Sequence, residues 1–174
     1  MGPLDETPRV VKDIYLNPGE FYFGGPNLRL RTLLGSCVSI VLWNPIKKIG
    51  GMCHFVLSHR TDSNEAREIS GKYGDEAFLL FQKEVKKHNT QLFEYEAKVF
   101  GGSHMFLKEE EDIFKRDAVT NMNSVGDKNY IFAKKILEEH SVKIVSESLG
   151  GNHHRKIIFT VWDGEVWLDT QRGN

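Results

Sequence analysis

From Leu28 to Leu57 the chain has room for little except three short strands and the turns between them. Leu28-Arg29-Leu30-Arg31-Thr32-Leu33 alternates apolar and polar residues, the period of a strand with one buried face. After Gly35-Ser36, the run from Cys37 to Trp43 is dense in β-branched and apolar side chains and predicts a strand buried on both faces. Asn44-Pro45 opens a turn, and Ile49 to Leu57 is the returning strand. A turn centred on Pro45 and Ile46 makes these two runs an antiparallel hairpin with Cys37 directly opposite His54. Directly opposed residues share a face, with Cβ atoms about 4.5–5.5 Å apart. Cys53 adjoins His54 and so points to the other face. A slip of one residue would set Cys53 against Cys37 and suggest a disulfide.

The rest of the chain adds more strands and two helices. Residues 1–9 are expected as a loose terminus and 10–174 as a single domain. Val10 to Leu16 is a strand candidate closed by Asn17-Pro18-Gly19, and Gly24 to Asn27 is a further turn. Asn64 to Gly74 is polar and reads as a loop. Ala77, Phe78, Phe81 and Val85 then recur at helical spacing from Asp75 to about His88. Glu96 to Phe100 is a strand ending in Gly101-Gly102, and the charged run Lys108–Lys115 reads as a solvated face. A second helix spans about Asp127 to His140, with Tyr130, Ala133, Ile136 and Leu137 as its apolar stripe. Strands follow at Lys143–Ser148, Lys156–Trp162 and Glu165–Leu168, with Asp163-Gly164 as a hairpin signal. The class is α+β: a mixed, mostly antiparallel sheet with two main flanking helices.

Composition removes several function classes. Lys plus Arg number 23 against 24 for Asp plus Glu, so the basic excess of a nucleic-acid binder is missing. No apolar run approaches the ~18–20 residues of a membrane span. The opening Met-Gly-Pro-Leu-Asp-Glu has neither the basic nor the apolar region of a signal peptide, so a cytoplasmic protein is expected. Two cysteines are too few for a disulfide framework, and a free thiol with a chemical role is the reading to test.

A thiol facing an imidazole is what nucleophilic catalysis by cysteine requires. Cys37 follows Leu-Gly-Ser, a tight turn in which backbone N–H groups at Gly35 and Ser36 can converge as an oxyanion hole. The plainer reading is a buried cysteine packing as a small apolar side chain. His59, His88 and His140 have no constellation around them. Cys37, Cys53, His54, His104, His153 and His154 supply metal-ligand types without any metal-binding spacing, so no metal is expected. The pairs Gly24-Gly25, Gly50-Gly51, Gly101-Gly102 and Gly150-Gly151 form no G-x-G-x-x-G or P-loop, and no cofactor is expected. His153-His154-Arg155-Lys156 has the charge to bind an anion but reads as a solvated strand entry.

Thr32-Leu33-Leu34-Gly35-Ser36-Cys37-Val38, then Asn44-Pro45, then Gly50-Gly51-Met52-x-His54-Phe55 resemble the opening signature of the chemoreceptor glutamine deamidases, CheD. Lys98-Val99-Phe100-Gly101-Gly102 with Met105-Phe106 resembles the family's central motif. Gly126-x-x-Asn129 and Gly150-Gly151-Asn152-x-x-Arg155-Lys156-Ile157 resemble its C-terminal ones. The resemblance runs from about Val11 to Leu168. It implies hydrolysis of glutamine side-chain amides on methyl-accepting chemotaxis receptors, giving glutamate and ammonia without a cofactor. It also implies an α/β sandwich similar to the catalytic domain of bacterial toxins that deamidate small GTPases. Some members bind a CheC-type phosphatase as well.

By motif position the family nucleophile falls on Cys37 and its histidine on His54. The family triad is completed by a threonine shortly before the cysteine. Thr32 is the nearest, and a shift of one residue would put Arg31 there instead. A threonine can accept from a ring N–H, whereas arginine carries five donors and no acceptor, which favours Thr32. Cys53 and Ser58 stand where the family more often has a non-cysteine and a proline. The alternative from another class is a binding module for receptors or a CheC-type phosphatase, with Cys37 inert. A third is transfer of the acyl group to an amine, as in a transglutaminase.

Overall fold

Burial along Leu28–Leu34 repeats its sequence alternation in a computed structural model that describes residues 6–61, 68–104 and 124–172. Leu28, Leu30, Thr32 and Leu34 are buried, while Arg29, Arg31 and Leu33 reach the surface. The run Lys108–Lys115, the Met105-Phe106 pair and parts of the N-terminus and the Asn64–Gly74 loop lie outside the described residues. In chain order the strands are β1 (Lys12–Tyr15), β2 (Phe21–Gly24), β3 (Leu28–Leu34), β4 (Val38–Asn44), β5 (Ile49–Cys53) and β6 (Glu96–Gly101). β7 (Lys143–Leu149), β8 (His153–Thr160) and β9 (Glu165–Arg172) complete them. Helix α1 (Gly74–Lys87) precedes β6, and α2 (Val125–Glu139) follows it.

The strands form two mixed sheets, a division the sequence pattern leaves open. One has the order β1-β3-β8-β9 and the other β2-β5-β4-β6-β7; the β1–β3 and β6–β7 pairs are parallel and the rest antiparallel. Two separate cores explain the division. On one side of the five-stranded sheet, Val38, Ile40 and Leu42 pack with Ala77, Phe78, Phe81 and Val85 of α1 and Ala133 and Leu137 of α2. On its other side, Val41 and Met52 pack with Leu28, Leu30, Leu34, Ile157 and Phe159 of the four-stranded sheet. β4 is therefore buried on both faces, as its unbroken apolar run requires. Ser124 caps α2 by accepting from the Asp127 N–H at 3.1 Å, and a buried stripe holds that helix to the sheet. Among the described residues no helix is long and apolar enough to cross a membrane.

The β4–β5 register departs from the expected one. Asn44 pairs with Ile49 and Val41 with Met52, so the connection is the four residues Pro45–Lys48 rather than a two-residue turn. Asn44 builds that loop: its Oδ1 accepts from the N–H groups of Ile46 (3.1 Å) and Lys47 (3.0 Å), and its carbonyl accepts from Lys48 (2.9 Å). The longer loop moves the pairing by two residues, so every side chain keeps its face. Cys37 and His54 become diagonal neighbours across the hydrogen-bonded Val38–Phe55 pair instead of standing directly opposed. Cys53 stands beside the Ile40 backbone, and both cysteines are free.

Candidate active site

His54 follows β5 and points between the two sheets, on the face shared by Met52. It is buried, with 2% of its surface exposed. Its Nδ1 lies 2.6 Å from Oγ1 of Thr32, which is buried on the inner face of β3. Oγ1 in turn lies 2.7 Å from the Leu16 carbonyl oxygen. A hydroxyl has one proton, and a carbonyl can only accept, so Thr32 donates to Leu16 and accepts from Nδ1–H of His54. That chain assigns the imidazole its tautomer: Nδ1 holds the proton and Nε2 keeps its lone pair. Thr32 belongs to the four-stranded sheet, so it reaches His54 across the inter-sheet core rather than from a neighbouring strand. Arg31 points the other way and pairs with Asp13 at 3.0 Å.

Cys37 sits half-buried just before β4, packed against the inter-sheet core on the same face as His54. Burial raises its thiol pKa, and its own backbone N–H works in the opposite direction. Burial also pushes His54 down to about 4, with the Leu16 carbonyl and Glu20 pulling it back up. At neutral pH the pair is thus a neutral thiol and a neutral imidazole. Cys53 faces the helices, is fully enclosed, and has its pKa pushed up to about 12 by burial.

The turn carrying Cys37 is held at three consecutive carbonyls. Gly35 O accepts from Ser103 N (3.0 Å), Ser36 O from Asn129 Nδ2 (3.0 Å) and Cys37 O from Gly102 N (2.9 Å). Asn129, buried on α2, also donates to Val56 O at 2.9 Å, so it ties this turn to the segment after His54. Gly101 has φ +112°, and a Cβ there would lie 2.1 Å from Cys37 O, so no other residue fits that approach.

Ser103 escaped the reading of the sequence, and Asn129 entered it only within the Gly126-x-x-Asn129 motif, because neither spacing nor charge gives either residue a chemical role. β8 begins at His153 rather than at the expected Lys156, which puts Arg155 in phase with the inward residues Ile157 and Phe159. The solvated strand entry expected at His153–Lys156 is therefore corrected, since Arg155 is buried there and His153 and His154 are partly covered. Among the described residues no three His, Cys, Asp or Glu side chains group as a metal ion would need.

The family described as CheD chemotactic sensory transduction matches residues 56–170, which begin just past His54. Relatives extend the match through Cys37 and His54. The "Probable chemoreceptor glutamine deamidase CheD 3" of Dechloromonas aromatica is 39% identical over 98% of this chain and 94% of its own. A "Probable chemoreceptor glutamine deamidase CheD 1" of Leptospira interrogans is 41% identical over 93% of this chain and 95% of its own. A "Probable chemoreceptor glutamine deamidase CheD" of Pseudomonas savastanoi is 40% identical over 95% of this chain and 88% of its own. Among solved structures, a Neisseria meningitidis protein of the DUF152 family aligns over 80% of this chain and 64% of its own, at TM-score 0.44 and 11% identity, too loose a likeness to build on. With a family match over most of its length and close relatives end to end, this chain belongs to the CheD family of chemoreceptor glutamine deamidases.

Proposed function

We propose that this chain hydrolyses glutamine side-chain amides of methyl-accepting chemotaxis receptors through a Cys37 thioester, with His54 as acid and base and Thr32 as its orienting partner. The Leu16–Thr32–His54 chain carries this reading, because it leaves the Nε2 lone pair on a histidine that shares the inter-sheet face with Cys37. As the sulfur attacks the amide carbon, the thiol proton passes to Nε2. The N–H groups of the Gly35–Cys37 turn receive the oxyanion. Collapse breaks the C–N bond, and His54 returns its proton to the leaving nitrogen, which departs as ammonia. Water then attacks the thioester, giving a proton to Nε2, and glutamate leaves as the thiol is restored. A CheC-type phosphatase is the further partner this reading admits, and the cytoplasm is the compartment where receptor signalling domains and a reduced Cys37 coexist.

The test is mass spectrometry of a receptor signalling fragment incubated with the protein. Specific glutamines should gain the mass of amide-to-acid conversion, with ammonia released in equal amount. Cys37→Ala should abolish both while still folding. Turnover by that variant would remove Cys37 from the nucleophile role, whereas no mass gain with wild type would favour the binding-module alternative.

A further inference from the structure

Arg155 occupies an inward position of β8, where alternation with Ile157 and Phe159 would otherwise call for an apolar side chain. Its guanidinium spends its donors on neutral oxygens. Nε donates to Ser148 Oγ (3.0 Å), Nη1 to Ser103 Oγ (2.7 Å) and Gly101 O (3.4 Å), and Nη2 to Gly150 O (2.7 Å). Among the described residues no carboxylate pairs with it. An interior charge without a counter-charge is costly, and a well-packed apolar side chain would serve stability better. What an apolar residue could not do is grip two separate segments, 101–103 and 148–150, at four acceptors at once, for which a planar fork of donors is suited.

Those segments lead to the nucleophile. Gly101 to Ser103 form a strap against the Cys37 turn: Gly102 N donates to Cys37 O, and Ser103 N to Gly35 O. Gly150 N donates to Gly101 O at 2.9 Å, so the second loop held by Arg155 braces the same strap. Gly101 touches the Cys37 carbonyl with no space for a Cβ, so the strap has no slack to absorb a shift. The Gly35 carbonyl shares its peptide plane with the Ser36 N–H, so a shift of the strap turns that N–H directly, and the Ser36–Cys37 plane that carries the Cys37 N–H is flanked by the two planes the strap holds. Neither the Ser36 nor the Cys37 N–H has a carbonyl partner among the described residues.

We propose that Arg155 is a positioning residue for the reaction: by gripping Gly101, Ser103 and Gly150 it holds the strap that aims the N–H groups of the Gly35–Cys37 turn at the oxyanion. The inference rests on the deamidase reading above and names a residue that acts through that turn. Its loss should act on the transition state more than on substrate binding, because the oxyanion exists only there.

The experiment compares wild type, Arg155→Lys and Ser103→Ala in deamidation of a receptor fragment and in alkylation of Cys37 by iodoacetamide. Lysine keeps the charge but cannot span the four acceptors. In Arg155→Lys, kcat should fall about 10- to 100-fold with KM within about threefold, the scale of a misaimed oxyanion donor. Ser103→Ala should show the same split with a smaller loss. Alkylation passes through no oxyanion, so its rate should stay near wild type in both. A kcat within about twofold of wild type in folded Arg155→Lys overturns the proposal, on the scale of one oxyanion donor. So does an equal loss of alkylation, which would mean that the thiol itself was displaced. If Arg155→Lys does not fold, Ser103→Ala decides on the same terms. Failure of the deamidase reading is distinguishable, since wild type would then leave every receptor glutamine unchanged and both proposals would fall together.

Discussion

Thr32 has one hydroxyl proton and two polar neighbours, and that count dictates its expected behaviour on mutation. Thr32→Val keeps the shape but leaves the Leu16 carbonyl and His54 Nδ1–H without partners in a buried site. The variant should lose about 1–3 kcal/mol of stability, the cost of orphaning buried polar groups. It should also lose roughly 10- to 100-fold in kcat, because the imidazole is no longer held in its tautomer. Thr32→Ser retains the hydroxyl and should recover most of both, which thermal unfolding and ammonia release would record. Arg31→Ala is the contrasting variant. Its guanidinium is on the opposite face, in a partly exposed pair with Asp13, so kcat should stay within about twofold and stability within about 1 kcal/mol. A larger effect on kcat from Arg31 than from Thr32 would reverse the assignment.

At the level of elements, strand alternation was the most legible signal. The inward phase of Leu28, Leu30, Thr32 and Leu34 in β3 and the opposed phases of Cys53 and His54 are both written in the sequence. So are the stripes of α1 and α2, because 3.6-residue periodicity is local information. The β4–β5 register was not legible, since it depends on the side chain of Asn44 folding back onto Ile46 and Lys47, and the loop length follows from that. Nor was the division into two sheets: β2 is four half-buried residues beside glycines, and no local pattern says which sheet a strand joins. The roles of Asn129 and Ser103 were hidden for the same reason, as they arise from contacts across 93 and 68 positions of chain. Alternation does support a prediction about the two thiols. In the native protein at pH 8, iodoacetamide should label Cys37 and leave Cys53 unlabelled, since Cys53 is enclosed by the helix-side core with its pKa near 12. Peptide mapping after brief labelling would check this; comparable labelling of Cys53 would mean that the helix face opens in solution.

On the scale of the whole molecule, the candidate site lies between two sheets and takes residues from both, so what charges the site also loads the packing. His54 has a folded pKa of about 4, against about 6.5 in an unfolded chain. Between those values the unfolded chain binds the proton and the folded protein does not. Stability from this group is therefore complete above about pH 6.5, declines as pH falls through that window, and is gone by about pH 4. The full effect is on the order of 3 kcal/mol, enough to loosen a domain of ordinary marginal stability. Surface carboxylates give way at lower pH: Asp13 is held down by Arg29 and Glu76 by Arg60, so their losses fall mostly below the His54 window. His54→Gln removes the titration without removing a polar partner for Thr32. Urea unfolding at pH 7, 5.5 and 4.5 should show wild type losing stability steeply over this range and His54→Gln losing much less. Parallel curves for the two proteins would show that His54 takes up its proton in the folded state, which would require water to reach the seam between the sheets.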